Sequence, residues 1–152
     1  MSEKVIKLLN DGRKRELVAI MQYMIHHYEL EDKGFDKLGD KMKEIAIVEM
    51  KHAEELAERI LFLGGVPVSK PEADIQKGLA IIDKIKVDEK LEAGAIELYN
   101  DAVNVCAAEK DHVSKAIFEK LAIDENDHLD EFQTIREHIE QFGDTYLTAQ
   151  TE

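Results

Sequence analysis

Apolar side chains return every three or four residues along nearly the whole chain, and the strongest helix breakers interrupt that pattern in one place only. Both prolines, Pro67 and Pro71, lie close to Gly64 and Gly65, so roughly 60 residues before them and 80 after are free of the residue that most disfavours a helix. The first arm predicts a helix from Val5 to about Lys33, closed by Gly34. A second helix, opened by Phe35 and Asp36 as staple and N-cap, runs to Leu63. The second arm predicts a helix from about Ile81 to Lys110, a short turn over Asp111, His112, Val113 and Ser114, and another helix to Phe142 before Gly143. Tyr146 and Leu147 are left for a short C-terminal helix or tail. Two helix pairs joined by one long link describe an all-α four-helix bundle whose link crosses its full height, leaving helices two and three parallel. Gly12, after Asn10 and Asp11, predicts a weak start to helix one, since glycine inside a helix costs ~1 kcal/mol relative to alanine.

The inward seams follow from the same spacing, and each is broken by an acid. On helix two, Ile45, Leu56 and Leu63 share a stripe with Glu49 and His52. On helix four, Phe118, Leu121, Phe132, Ile135 and Ile139 form a seam whose two vacant places are taken by Glu125 and His128. Helix one runs Leu9, Glu16, Ile20, Tyr23, and helix three runs Ile85, Glu92, Ile96, Tyr99. Four uncompensated carboxylates in a core would be very unfavourable, so a cation is expected among them.

Arithmetic on the positions sharpens this expectation. Glu16, Glu49 and His52 recur as Glu92, Glu125 and His128 with one offset of 76 residues, which Tyr23 and Tyr99 share. An internal two-fold repeat of helix pairs would bring the triads together at mid-bundle. One glutamate from each of two helices, with Glu-x-x-His from each of the other two, is the ligand pattern of di-iron and di-manganese carboxylate bundles. Oxygen-rich ligands with one imidazole per metal suit iron or manganese better than zinc. A third Glu-x-x-His, Glu109 to His112, has Gln76 where the partner glutamate should stand, and reads as a solvated helix end.

Composition narrows the class of partner. The 152 residues carry 33 acidic and 20 basic side chains, a net charge of −13, with 44% apolar content. That is enough apolar material for a real core, and a charge that disfavours nucleic acid and anionic membranes while attracting small cations. One cysteine, Cys106, can form neither an internal disulfide nor a cysteine-held cluster, and reads as an inert small core residue. With no apolar run of membrane length and no apolar signal core at the N-terminus, a cytoplasmic protein is expected.

At these residues the chain resembles the bacterioferritins. The matching segments are Arg15 to Ile20, Glu49-Met50-Lys51-His52-Ala53, Glu58 to Gly65, and Glu125 to His128. The resemblance implies a single ferritin-like domain over residues 1–152. It also implies a di-iron ferroxidase centre with Glu16 and His52 on one iron, Glu92 and His128 on the other, and Glu49 and Glu125 bridging. The implied activity is oxidation of Fe2+ by O2 or H2O2 with storage of the mineral in a shell of twenty-four subunits, iron leaving with the help of a ferredoxin-type electron donor. Tyr23, on the stripe of Glu16, is either a partner or electron donor of the centre or an ordinary half-buried bundle tyrosine.

Met50, next to Glu49, points about 100° away from the inner seam, near Ala46, Ala53 and Ala57. Helix one adds an apolar stripe of Leu17, Met21, Met24 and Tyr28, which marks a partner surface. In the resemblance Met50 is an axial ligand of a haem shared between two subunits, one methionine from each, and the small alanines leave room for it. The plainer reading is that Met50 fills a dimer interface. Glu44 and Val48 stand where some family members have a histidine and an aspartate on the cavity side, and Glu131 where some have an aromatic. His26, His27, His112 and His138 are expected to face solvent or subunit contacts. A di-iron peroxidase or oxidase of the rubrerythrin kind, without mineral storage, is the alternative, although the cysteine pairs of a rubredoxin-like segment are missing. A metal-free acidic interaction module leaves the buried carboxylates unexplained.

Overall fold

A computed structural model describes residues 2–151. Among these residues it has no strand and five helices: α1 (Glu3–Asp32), α2 (Asp36–Phe62), α3 (Ile81–Ala108), α4 (His112–Phe142) and α5 (Asp144–Ala149). None of them is long and apolar enough to cross a membrane.

Helix ends show where local chemistry differs from the sequence pattern. α1 begins two residues before Val5 because the Ser2 hydroxyl accepts the Val5 N–H at 3.3 Å, an N-cap the apolar spacing does not reveal. It also runs unbroken through Gly12. A Cβ there would sit 3.2 Å from Tyr99 Cε1 and 3.3 Å from Leu56 Cδ1, so the missing side chain admits the packing of α2 and α3. α2 opens at Asp36 without a side-chain cap; Phe35 holds the N-cap position and packs on the core instead. Its other end is closed as expected: Gly64 takes a left-handed φ of 87°, and the Gly65 N–H donates to the Ile60 carbonyl at 2.9 Å. The turn before α4 is tighter than predicted. Asp111 caps the helix by accepting the Ser114 N–H at 2.9 Å, and Arg59 of α2 donates to the same carboxylate at 2.8 Å. Tyr146 and Leu147 lie in α5, packed against the core.

Pairing is antiparallel within α1–α2 and α3–α4, and Tyr23 of α1 reaches Glu92 of α3 while Tyr99 reaches back to Glu16. α1 and α3 are therefore antiparallel, and α2 and α3 parallel, as the long link requires. That link climbs α1 rung by rung. Asn10 bonds the backbone of Val66 and Val68, Arg13 donates to the Val68 carbonyl, and Arg15 pairs with Glu72 at 3.0 Å. Gln22 then holds both the N–H and carbonyl of Gln76, and Glu29 accepts the Gly78 N–H.

Two apolar clusters fill the bundle. One is built around Leu9, Leu56, Tyr99 and Phe118, the other around Tyr23, Met42, Ile45, Ile85 and Phe132. Along each long helix the seam glutamate falls between residues of the first cluster and residues of the second, so the acids occupy the gap. Ile20, Ile96 and Ile139 sit at the seam edges, only half-buried. The outer surface departs from expectation as well. Met50, Met21, Ile47 and Tyr28 are exposed, but Ala46 and Ala53 are buried and Met24 packs on the core, so of the three alanines expected beside Met50 only Ala57 is partly open. The reason is that α1 covers the alanine side of α2, as the bond from Arg13 to the Ala53 carbonyl shows.

Candidate dinuclear metal centre

Between the apolar clusters the four long helices each deliver one glutamate, and α2 and α4 each add a histidine one turn on. Glu16, Glu49, Glu92 and Glu125 are at most 1% exposed, and His52 and His128 are buried beside them. They form two groups of possible ligands, Glu16 with Glu49, His52 and Glu125, and Glu92 with Glu49, Glu125 and His128. Glu49 and Glu125 belong to both. His52 Nδ1 stands 3.5, 3.2 and 3.4 Å from Oε1 of Glu16, Glu49 and Glu125. His128 Nδ1 stands 3.3, 3.5 and 3.3 Å from Oε1 of Glu49, Glu92 and Glu125.

These separations suit a shared cation. Atoms bound to one ion at ~2.0–2.2 Å are about 2.9–3.5 Å apart at octahedral or tetrahedral angles. Both Nδ1 atoms, both oxygens of Glu49, Oε2 of Glu16 and Glu92, and Oε1 of Glu125 have no hydrogen-bond partner among the described residues. So many orphaned buried atoms would each cost ~1–3 kcal/mol with nothing to bind. Two divalent cations would satisfy them and balance the four carboxylate charges, leaving the imidazoles neutral.

Without a cation, the groups resist charge. Burial, with repulsion from Glu125, raises Glu16 to about 7. Burial, with Glu16 and Glu92, raises Glu49 to about 7. Burial raises Glu92 to about 8, and burial followed by the charge of Glu49 raises Glu125. Burial works to lower the imidazoles, but contacts with the glutamates override it, raising His52 and taking His128 up to about 12. A proton held by these imidazoles sits where a metal would.

The surroundings contain residues the spacing alone misassigns. Tyr23 does not serve Glu16: its hydroxyl donates to Glu92 Oε1 at 2.6 Å, while the Tyr99 hydroxyl donates to Glu16. The antiparallel crossing of α1 and α3 sets each tyrosine opposite the glutamate of the other helix. Both are fully buried, which sets aside the reading of Tyr23 as an ordinary half-buried bundle tyrosine, and burial raises both phenols well above their usual range. Tyr99 is readable as Tyr23 plus the repeat offset. Asp124, which no seam pattern picks out, lies 2.8 Å from His52 Nε2. Because a carboxylate only accepts, Nε2 carries the proton and Nδ1 faces the glutamates.

The remaining histidines divide. His26 and His27 are buried, contrary to expectation, because α3 and the start of α2 close over that end of α1. His26 pairs with buried Asp88 at 3.0 Å and lies 2.9 Å from the Gln22 amide. His112 is exposed, as is Glu109, which accepts from Ser2 and lies apart from the centre. His138 sits between Phe142 and Tyr146. Cys106 is buried in the first cluster, its thiol raised to about 11 by burial. Glu44 is exposed, and both it and Glu131 approach Lys41 at 3.5 Å.

The model of the ferritin-like domain matches residues 6–142. Among curated proteins, the bacterioferritin of Desulfovibrio desulfuricans is 42% identical over 95% of this chain and 80% of its own length. That of Rhodobacter capsulatus is 40% identical over 86% and 81%, and that of Brucella melitensis 34% identical over 93% and 88%. The crystal structure of the D. desulfuricans bacterioferritin, described for its diiron site in different catalytic states, superposes with a TM-score of 0.95 at 41% identity, covering 97% of this chain and 86% of that one. With similarity of this level along most of the sequence and throughout the fold, the chain belongs to the bacterioferritins, within the ferritin-like family.

Proposed function

We propose that the chain is the ferroxidase subunit of an iron-storing shell, taking Fe2+ as substrate at the buried six-residue centre. The observation that carries this reading is the pair of overlapping ligand groups, with their 3.2–3.5 Å edges and orphaned atoms. Glu16 and His52 would hold one ion, Glu92 and His128 the other, with Glu49 and Glu125 between them. Two ions held side by side can each give one electron to the same oxidant. Dioxygen then leaves as hydrogen peroxide after taking two electrons and two protons; hydrogen peroxide with the same supply leaves as two waters.

The chain's own residues prepare this step. Asp124 fixes the His52 tautomer, and Tyr23 and Tyr99 hold one oxygen of Glu92 and Glu16, leaving Oε2 of each free. Cations entering the centre take the place of the protons that burial keeps on the carboxylates and the glutamates keep on the imidazoles. Tyr23, hydrogen-bonded to Glu92, would act as an electron donor to the centre.

Storage requires copies of the chain, and the exposed apolar residues Met21, Tyr28, Ile47 and Met50 of α1 and α2 support a two-fold interface there within a shell of twenty-four subunits. The Met50 thioether is an accessible soft donor suited to haem iron, one from each of two chains; bound haem would supply an electron path for reductive iron release, with a ferredoxin-type protein as donor. Cytoplasmic residence fits the same reading.

Particle mass by light scattering, together with the visible spectrum before and after reduction, tests the assembly. A dimer-sized species without haem absorbance would overturn it, and a small oligomer that oxidises Fe2+ without accumulating mineral would favour the rubrerythrin-type alternative. Met50→Leu should abolish haem absorbance and leave the initial rate of Fe2+ oxidation within about two-fold, because Glu49 and Met50 face different ways. An oxidation defect as deep as that of His52→Ala would contradict this separation.

A further inference from the structure

At the corner where α1 ends and α2 begins, His27, Glu31 and Asp40 bring ligand-type atoms within 4.8 Å of one another. His27 distinguishes this corner from an ordinary patch of surface acids. Its side chain is buried, with the residue only 4% exposed, and Nδ1 lies 2.6 Å from the Gly39 carbonyl oxygen. A carbonyl can only accept, so Nδ1 carries a proton and Nε2 is the nitrogen that faces the acids. Nε2 makes no hydrogen bond among the described residues. Glu31 Oε2 stands 3.3 Å from it, outside the usual N–H···O range of ~2.7–3.2 Å but within the edge lengths seen around His52 and His128. A histidine whose far nitrogen is fixed by a backbone carbonyl is the arrangement that orients metal-binding imidazoles.

The packing of the corner is built to hold that orientation. His27 and Glu31 share one face of α1 at a spacing of four residues. A Cβ on Gly39 would lie 3.3 Å from the His27 carbonyl and 3.4 Å from Glu31 Cγ, so the glycine lets α2 close in and present its carbonyl to the ring.

The internal repeat does not carry the trio to the other helix pair. Moving 76 residues along leads to the turn between α3 and α4, where the matching positions are Val103, Ala107 and Ala116. None of these is a ligand type, and that corner is tied instead by Arg59, Asp111 and Ser114.

We propose that His27, Glu31 and Asp40 form a second metal site, which takes a single divalent transition ion. One imidazole nitrogen with carboxylate oxygens, and remaining positions open to water, suits Fe2+, Co2+ or Zn2+ rather than Mg2+ or Ca2+, which prefer oxygen alone. Unlike the buried centre, this site has two exposed ligands and holds one ion. It does not depend on the assignment of the buried centre.

The test uses the intact, assembled protein with Co2+ as the probe, which is stable in air and strongly anomalous in diffraction. Crystals soaked in Co2+ should show an anomalous peak within bonding reach of His27 Nε2. Equilibrium dialysis should find one ion fewer per chain for the Glu31→Gln, Asp40→Asn double variant, whose substitutions are exposed and leave the core intact. His27→Ala should lose the same ion. The peak at His27 should persist in a His52→Ala, His128→Ala variant, so failure of the buried centre and failure of this site are told apart. An anomalous map with no peak at His27, or equal ion counts for the double variant and the native chain, overturns the proposal.

Discussion

The two halves of the centre are built from one repeat, yet they are not equivalent. On the first half, His52 is braced by Asp124 behind its Nε2. On the second half, His128 Nε2 makes no hydrogen bond among the described residues, and the position that the repeat assigns to a brace, 76 residues before Asp124, is Val48. The tyrosines differ in the same way. Tyr99 lies in apolar surroundings, against Gly12, Leu56 and Phe118. Tyr23, packed on Phe132, also feels the charge of Asp88, which is paired with His26. The offset turns Asp88 and His26 into Gly12 and Ala102. The repeat sets matching side chains in the two groups of possible ligands; what stands behind those side chains differs, and with it how firmly each ion should be held.

Substituting a shared residue should erase the comparison altogether. Glu49→Gln removes a carboxylate common to both ligand groups, and Fe2+ oxidation followed by absorbance should fall by at least about 100-fold. The metal-free protein should melt higher than the native chain, since a buried charge and its repulsion with Glu16 and Glu92 are gone. A lower melting temperature would show that these acids stabilise the empty fold.

The next effect separates the halves. Asp124→Asn should weaken binding at the His52 position by about 10–100-fold and spare the His128 position, splitting a Co2+ titration into two resolved steps. Val48→Asp should tighten the weaker step. Equal weakening of both ions by Asp124→Asn would show that the halves are coupled and the brace serves both.

Smaller changes are expected from the tyrosines. Tyr23→Phe and Tyr99→Phe each remove a buried hydrogen bond worth about 1–2 kcal/mol, measurable by denaturant unfolding of the metal-free protein. An electron-donor role predicts that Tyr23→Phe alone also alters the slow phase after the first oxidation. Identical kinetics for the two variants would leave both tyrosines as positioning residues.

The mildest probe is pH. Glu16 and Glu49 titrate near 7 and Glu92 near 8 in the empty fold, all above their unfolded values. The stability linked to these acids is therefore complete below about pH 4.5 and declines as pH rises through 7 to 8. Divalent cations should reverse that decline, displacing protons as they bind, so affinity measured by calorimetry should drop from pH 8 to pH 6.

Much of this is legible in the sequence because helices convert spacing into direction. Gly64 and Pro67 mark the crossover, the seams identify the inward faces, and the offset of 76 separates the decoy pair, Glu109 and His112, from the two real triads. What escapes depends on which helix lies opposite. Periodicity cannot say that Tyr23 will face Glu92, because that follows from the antiparallel crossing of α1 and α3. Nor can it bury His26 and His27: a single inward stripe accounts for one covered face, while α1 is covered by α2, by α3 and by the crossover link. Asp124 is hidden because its partner comes from another helix, 72 residues away.

The rungs that bind the link to α1 also choose the chirality of the bundle. A connection running the other way around α2 would join the same helices with the same seams, and the apolar clusters alone would scarcely tell the two topologies apart. Asn10, Arg13, Arg15, Gln22 and Glu29 would then lose their partners in residues 66 to 78. The part-buried bonds of Arg13 and Gln22 are the costliest of these to lose, because water replaces the exposed ones more readily. A surface loop thereby acts as the element that selects against the wrong fold.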